Sequence, residues 1–133
     1  MTPKKVLIID HDEVSCFIIN RVFERHGCSE QLIFAKTAED GLGLIEKENF
    51  DLILLELNIS VSDGFQFLGK LNQLGKSKGI TVPDTIILTV SIYPQDKAKA
   101  MEYPNVKAYV PKPFSDEHID IIRSIVEKKI NNI

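Results

Sequence analysis

Residues 51–56 read Asp-Leu-Ile-Leu-Leu-Glu, a run of four aliphatic side chains that is followed directly by an acid. Similar apolar runs lie at 6–9, 86–88 and, more weakly, 106–110. Short, nearly unbroken apolar runs are typical of parallel strands that are buried on both faces of a sheet. A further segment, 31–35, begins with a polar residue, which favours a strand nearer the sheet edge. The sequence therefore predicts five strands.

The segments between these strands have helical spacing. Val14, Ile18 and Val22 recur every fourth residue with Phe17 beside them, which predicts an amphipathic helix. A second pattern of this kind lies near the end of the chain and consists of Ile119, Ile122, Val126 and Ile130. Strands and helices thus alternate, and parallel strands need helical crossovers. We expect an α/β fold in which an open sheet carries helices on both faces.

Capping residues indicate where several of the helices begin and end. The starts are indicated by Thr37, Asp63, Pro94 and Ser115. Gly27 and Gly75 are predicted to end helices, because glycine favours the residue that follows a helix. The longest predicted connection is then 76–83.

Length and composition limit the class of protein. A chain of 133 residues suits one compact domain, so we expect residues 1–133 to form a single domain without an output domain. No apolar stretch approaches the length that crosses a bilayer, and a net charge of -3 argues against nucleic-acid binding. The start of the chain lacks a secretory pattern, which favours the cytoplasm. We expect Cys16 and Cys28 to be buried thiols.

Polar residues follow four of the predicted strands at the point where each apolar run ends. They are Asp10, Glu56, Thr89 and Lys112. Each alone has an ordinary structural explanation, such as a solvated charge or the last residue of a strand. In open α/β sheets, however, ligands bind beyond the carboxyl ends of the strands, where the strand order reverses. Acids, a hydroxyl and a cation together are what phosphoryl transfer to a carboxylate requires, so we predict that these side chains converge on one pocket.

Four stretches carry a resemblance to a known family: VLIIDHDE, DLILLELNISVSDGFQFL, IILTVS and KAYVPKPF. They follow one another in the family's order and at its spacing across essentially the whole chain. At these residues the sequence resembles the receiver domains of two-component response regulators, including the chemotaxis regulators. The resemblance implies a doubly wound, flavodoxin-like sheet of five parallel strands in the order 2-1-3-4-5.

The resemblance also implies roles for individual residues. Glu56 falls on the phosphoacceptor position, and the implied magnesium ligands are Asp10, His11, Glu56 and Asn58. Thr89 and Lys112 fall on the hydroxyl and the lysine that contact the phosphoryl group. Tyr109 falls on the aromatic switch residue, which turns inward together with Thr89. The Lys112-Pro113 step is expected to be cis, an isomer found in only about 5% of X-Pro bonds.

Two of these positions depart from the family pattern. Glu56 stands where the family has aspartate, and its extra methylene moves the carboxylate outward by about 1.5 Å. In-line transfer tolerates such a displacement poorly, so ordinary phosphorylation should be slow or absent, while the carboxylate could partly imitate a phosphoryl group. His11 replaces an acid of the metal pair, and because magnesium prefers oxygen ligands, its affinity should fall. A zinc or manganese site that uses the imidazole is an alternative.

The leading functional hypothesis is a single-domain response regulator that is not an enzyme and that acts through protein contacts. The alternative is a working phosphoacceptor, in which Glu56 takes phosphate from a sensor histidine kinase or a phosphotransfer protein. A flavin- or nucleotide-binding enzyme is disfavoured because the sequence has no GxGxxG or GxxxxGK motif. By resemblance, the surface that faces a downstream signalling protein, or a second copy in a homodimer, lies within 94–129. We expect neither nucleic acid nor membrane as a partner.

Overall fold

Strands and helices alternate through the part of the chain that the computed structural model describes, residues 5–27, 31–59 and 64–131. The strands are β1 (Val6–Ile9), β2 (Leu32–Ala35), β3 (Leu52–Leu55), β4 (Asp84–Thr89) and β5 (Val106–Pro111). The helices are α1 (Glu13–Arg25), α2 (Ala38–Lys47), α3 (Gly64–Lys78), α4 (Pro94–Ala100) and α5 (Asp116–Asn131). The predictions on Cys28, Asp63 and the Ile130 side chain lie outside the described residues.

The five strands form one parallel sheet in the order β2-β1-β3-β4-β5, which confirms the predicted architecture. All residues of β1 and β3 are buried, as expected of central strands. β2 lies at an edge of the sheet and is only partly buried, as its polar start predicted. The strand order reverses between β1 and β3, which places a ligand-binding crevice at their carboxyl ends.

Two apolar clusters, one on each face of the sheet, make up the core. Alternate residues of β1 enter different clusters, because successive side chains of a strand point to opposite faces. Leu7 and Ile9 pack in one cluster with residues of α2 and α3, whereas Val6 and Ile8 pack in the other with residues of α1 and α5. No helix in the described ranges is long and apolar enough to cross a membrane.

The buried face of α1 differs from the predicted one. Val14 and Phe17 are 66% and 62% exposed, and the buried apolar side chains are Ile19, Val22 and Phe23. The helix carries two overlapping apolar stripes, and contacts distant in sequence decide which of them faces the sheet. The Phe23 ring stacks on Phe114, with 5.5 Å between ring centroids. The prediction was therefore wrong for Val14 and Phe17 and right for Val22.

The end of α3 also differs from the prediction. The helix continues through Gly75 to Lys78, and Gly79 then adopts a positive φ of 67°. Gly75 has a packing role instead, because a Cβ atom there would lie 2.6 Å from Val82 Cγ2. The connection to β4 is consequently shorter than predicted.

The other predicted helix boundaries agree with the structure. The Thr37 hydroxyl accepts a hydrogen bond from Asp40 N at 3.1 Å at the start of α2, and Pro94 opens α4. α1 ends at Arg25, and Gly27 follows with a φ of 74°.

A buried polar network joins three elements at the amino end of β4. Asn105 Nδ2 donates to Thr85 Oγ1 at 3.0 Å, and Asn72 Nδ2 of α3 donates to Asn105 Oδ1 at 3.1 Å. The Thr85 backbone N–H also donates to the Asn105 carbonyl at 2.7 Å. Because these buried groups satisfy one another, they stabilise the first residues of β4 against α3 and β5.

Candidate functional site

The four polar residues predicted to converge do so at the carboxyl edge of the sheet. Asp10, Glu56 and Thr89 are buried, with 2%, 3% and 0% of their surface exposed. Lys112 follows β5 and reaches back toward them, and the Lys112-Pro113 peptide bond is cis, as predicted. The strand ends bring these residues together across large sequence separations, because parallel strands present their carboxyl ends to the same edge.

The ammonium of Lys112 lies between the two buried carboxylates. Its Nζ is 2.7 Å from Asp10 Oδ2 and 3.0 Å from Glu56 Oε1. Burial lowers the pKa of Lys112, but hydrogen bonds to Asp10 and Glu56 outweigh that effect and raise the pKa above its ordinary value. The lysine is therefore a charged internal counterion for both acids.

The Glu56 carboxylate is surrounded by hydrogen-bond donors. Oε1 accepts from Val90 N at 3.3 Å, and Oε2 accepts from Asn58 N at 3.2 Å. Burial raises the pKa of Glu56, but hydrogen bonds from the Thr89 hydroxyl, from Lys112 and from Asn58 N leave the pKa below its ordinary value. The side chain is thus a stable anion at neutral pH.

Local backbone structure determines how deeply Glu56 lies. Its N–H donates to the Ile9 carbonyl at 3.1 Å, which continues the ladder between β1 and β3 by one residue. Gly64, at the start of α3, packs so closely that a Cβ atom would lie 2.7 Å from Leu57 Cα and 2.9 Å from the Glu56 carbonyl oxygen. The absence of a side chain at Gly64 lets α3 begin directly against the segment that carries Glu56.

The acidic residues after β1 have divided roles. Asp10 Oδ1 accepts from Asp12 N at 2.9 Å, so one of its oxygens serves the turn and the other serves Lys112. Asp12 Oδ1 in turn accepts from Val14 N at 3.0 Å and caps α1. His11 is exposed and lines an open cleft with Glu56 and other residues: Asp12, Glu13, Asn58, Val90 and Lys112.

The side chains at this site do not fit as ligands of the magnesium ion that the family resemblance implies. Magnesium needs oxygen ligands in near-octahedral geometry, but the oxygens of Asp10 and Glu56 face Lys112 and backbone N–H groups, and His11 offers nitrogen. Within the described residues, no group of three or more His, Cys, Asp or Glu side chains is arranged to hold a metal ion. The same finding gives no support to the zinc or manganese alternative. Weakened magnesium binding stays a prediction, and so does the role of Asn58 as a ligand.

Tyr109, the predicted switch residue, has a buried hydroxyl and packs against the apolar cluster between the sheet and α2 and α3. The nearby Ser91 hydroxyl donates to Asp96 Oδ2 at 2.6 Å, and within the described residues the Tyr109 hydroxyl completes no well-formed hydrogen bond. Burial raises the pKa of Tyr109 above its ordinary value; the nearby Ser91 hydroxyl lowers it, and the negative charges of Asp96 and Glu56 raise it further. The phenol is therefore neutral at neutral pH, and its hydroxyl is buried.

Sequence reasoning missed two contributors to the site. Val90 contributes through its backbone N–H, which no side-chain motif reveals. Ser91 contributes through its backbone N–H, which donates to Thr89 Oγ1 at 3.1 Å, and through its bond to Asp96. A hydroxyl residue two positions after Thr89 was the available signal, but such residues are common in turns.

The remaining histidines and Cys16 lie away from the carboxylates or have structural contacts. His26 ends α1 and contacts Asp116, and the His118 ring accepts from the Ser115 backbone N–H at 3.0 Å. Cys16 is half-buried rather than fully buried as expected, its thiol donates to the Asp10 carbonyl, and burial raises its pKa to about 11. The thiol is consequently protonated and unreactive at neutral pH.

Comparison with known proteins identifies relatives of similar length. The chain is 26% identical over 113 residues to Protein PilH of Pseudomonas aeruginosa, covering 85% of this chain and 88% of PilH. It is also 26% identical over 128 residues to Sporulation initiation phosphotransferase F of Bacillus subtilis, covering 96% and 94% of the two chains. Several other curated relatives are longer, and the chain spans about half of their length or less.

Solved structures confirm the fold. The crystal structure of a two-component response regulator from Cytophaga hutchinsonii matches with a TM-score of 0.80 at 18% identity, covering 96% of this chain and 99% of that one. The sequence model of the response regulator receiver domain matches residues 6–123, nearly the whole chain. The chain therefore belongs to the response regulator receiver domain family of two-component signalling.

Proposed function

We propose that this receiver signals through protein contacts in an arrangement that the Glu56 carboxylate maintains, without ordinary phosphotransfer. One observation carries the proposal: the Glu56 carboxylate pairs with Lys112 and accepts hydrogen bonds from the backbone N–H groups of Asn58 and Val90, and the neighbouring Thr89 hydroxyl lowers its pKa. By family resemblance, Thr89 and Lys112 are groups that a phosphoryl group would engage. An anion at this position therefore has partners without being phosphorylated.

The carboxylate imitates a phosphoryl group only in part. It carries one negative charge and two acceptor oxygens, whereas a phosphoryl group carries about -1.5 to -2 and three acceptor oxygens. The inward hydroxyl of Tyr109 nevertheless accompanies the contact between Thr89 and Glu56, as the family's active arrangement implies. We infer that the protein favours an active-like arrangement constitutively but incompletely.

Phosphorylation of Glu56 is disfavoured by its contacts. A nucleophilic carboxylate oxygen must approach the donor phosphorus in line, and both Glu56 oxygens are directed at protein donors in a buried position. Weak magnesium binding adds to this effect, since the metal neutralises charge on the transferring phosphoryl group. We therefore propose that the protein is not a phosphotransfer enzyme.

Partners are proposed from the family. Receiver domains interact with sensor histidine kinases or phosphotransfer proteins, and one relative of this chain is named as a phosphotransferase. We propose that this chain contacts such a protein, or a downstream signalling protein, in the cytoplasm. A surface that includes α4 and α5 is the proposed contact, and a homodimer through these helices is the proposed alternative.

A labelling experiment tests the proposal. The protein is incubated with magnesium and acetyl phosphate, and the intact mass is measured beside Glu56→Gln and a typical receiver as a positive control. We expect no added phosphoryl group on this chain under conditions that label the positive control fully.

The alternative function, a working phosphoacceptor, predicts the opposite result. Its support is the presence of Thr89, Lys112 and Tyr109 at the site. A stoichiometric adduct that is labile as an acyl phosphate and that disappears in Glu56→Gln would establish the alternative and overturn the proposal.

A further inference from the structure

The connection between β4 and α4 contains a side-chain hydrogen bond that the proposed function does not use. Ser91 Oγ donates to Asp96 Oδ2 at 2.6 Å, and both residues are half-buried. The Ser91 backbone N–H donates to Thr89 Oγ1 at 3.1 Å. Ser91 is therefore bonded on one side to the hydroxyl that contacts Glu56 and on the other side to α4.

α4 has few other contacts that determine its position. It is 7 residues long, and Ala100 is its one buried residue. Tyr93, which precedes it, makes no side-chain hydrogen bond to the helix start. Helices this short are marginal on their own and depend on tertiary contacts. The bond from Ser91 to Asp96 thus helps to hold the first turn of α4. Near the other end of the helix, the Lys99 ammonium lies 4.2 Å from the centroid of the Phe65 ring.

The Tyr109 hydroxyl is buried close enough to this pair that the Ser91 hydroxyl lowers its pKa and the charge of Asp96 raises it. It completes no well-formed hydrogen bond within the described residues, while the Ser91 hydroxyl is engaged by Asp96. A buried donor without a partner is unfavourable. The inward position of Tyr109 therefore depends on the packing of its side chain against neighbouring residues. The same two residues therefore border both α4 and the switch tyrosine.

We propose that Ser91 and Asp96 are positioning residues: their hydrogen bond holds the first turn of α4 and the inward Tyr109 together, and so connects the Glu56 site to the α4 surface. The part of this proposal in which Glu56 influences α4 rests on the proposed function of Glu56. The positioning itself does not, since it follows from the contacts of Ser91, Asp96 and Tyr109. The two can therefore be tested separately.

The test uses the full chain with Ser91→Ala and Asp96→Ala, and Ser124→Ala on the exposed side of α5 as the matched control. Fluorotyrosine labelling gives one ¹⁹F resonance for each of the three tyrosines, and Tyr→Phe variants assign them. Hydrogen exchange of residues 94–100 is measured in parallel. Ser91→Thr, which keeps the hydroxyl, serves as the rescue variant.

We expect Ser91→Ala and Asp96→Ala to move the Tyr109 resonance toward that of an exposed tyrosine, with Tyr103 unchanged. Exchange within 94–100 should rise about tenfold or more, as for loss of a hydrogen bond to a charged group, while the strands stay protected. Ser91→Thr should restore both signals, and Ser124→Ala should change neither.

An unchanged Tyr109 resonance with unchanged exchange in α4 overturns the inference, and so does a uniform rise in exchange over the whole domain. Glu56→Ala separates the two proposals. If Ser91→Ala moves the Tyr109 resonance and Glu56→Ala does not, the positioning role stands and the proposed influence of Glu56 fails. If both move it, the connection extends from Glu56 to α4.

Discussion

Lys112 Nζ lies 3.0 Å from Glu56 Oε1 and is shared with Asp10, so one cation balances two buried acids. Lys112→Met keeps the length of the side chain but leaves both carboxylates without a counterion. Because the Lys112 side chain is only 10% exposed, we expect the free energy of unfolding to fall by roughly 3 kcal/mol, the lower end for removing one partner of a buried pair. Urea denaturation measures this loss.

Lys36→Met is the control for that experiment. Lys36 pairs with Glu13 on the surface at 3.2 Å, where both side chains are mostly exposed. Exposed pairs contribute about 1 kcal/mol or less, so this variant should be nearly as stable as the parent protein. Equal effects of the two substitutions would contradict the counterion role of Lys112.

The depressed pKa of Glu56 predicts a specific loss of stability in acid. Its folded-state pKa lies below the ordinary value of 4.5, so its contribution to stability is fully present above about pH 4.5 and is lost as the pH falls through the folded-state pKa. Stability of the parent protein should therefore decrease more steeply below pH 4.5 than that of Glu56→Gln. Parallel slopes of the unfolding free energy against pH would show that the carboxylate is not stabilised as described.

Introducing the family residues at two positions should strengthen magnesium binding and phosphorylation. In the variant with both His11→Asp and Glu56→Asp, the shorter residue 56 withdraws from its donors and a third acid becomes available for magnesium. We expect tighter magnesium binding than in the parent protein by titration calorimetry, and more labelling by acetyl phosphate. Glu56→Asp with His11→Ala is the matched control, and equal magnesium affinity in the two double variants would refute the role assigned to position 11.

We predict that alanine substitution at two glycines of α3 has different effects on the unfolding free energy. Gly69 is exposed and a Cβ atom would meet nothing within 4 Å, so Gly69→Ala should raise the unfolding free energy by about 0.5–1 kcal/mol through helix propensity. At Gly75 a Cβ atom would lie 2.6 Å from Val82 Cγ2, and the displacement of the following connection should cancel or reverse that gain. Thermal unfolding of the two variants compares them, and an equal rise in Tm would contradict the packing role of Gly75.

Much of the fold could be predicted because the decisive signals are local. A central strand such as β3 reads as an apolar run, and the residue after the run faces the ligand edge, which is how Glu56 and Lys112 could be recognised. The strand order followed from the family resemblance. The pocket was predictable because it depends on where strands end rather than on side-chain detail.

The remaining features depend on contacts between distant residues. The rotation of α1 is set by packing such as that of Phe23 on Phe114, and Phe17 has the same chemical character as Phe23. The end of α3 was misjudged because Gly75 is required by its neighbour Val82 and not by a helix stop. Neither distinction is visible in the spacing of apolar residues.

The buried polar network of Asn72, Thr85 and Asn105 indicates which parts of this domain can be modified. Thr85, at the base of β4, is held by Asn105, whereas Thr89, four residues later on the same strand, belongs to the pocket. The residue that anchors β4 and the residue that belongs to the pocket thus lie near opposite ends of the strand. Exchanging His11 and Glu56 while Lys112 is kept should leave the scaffold intact, which makes this chain a suitable host for grafting a working acceptor centre.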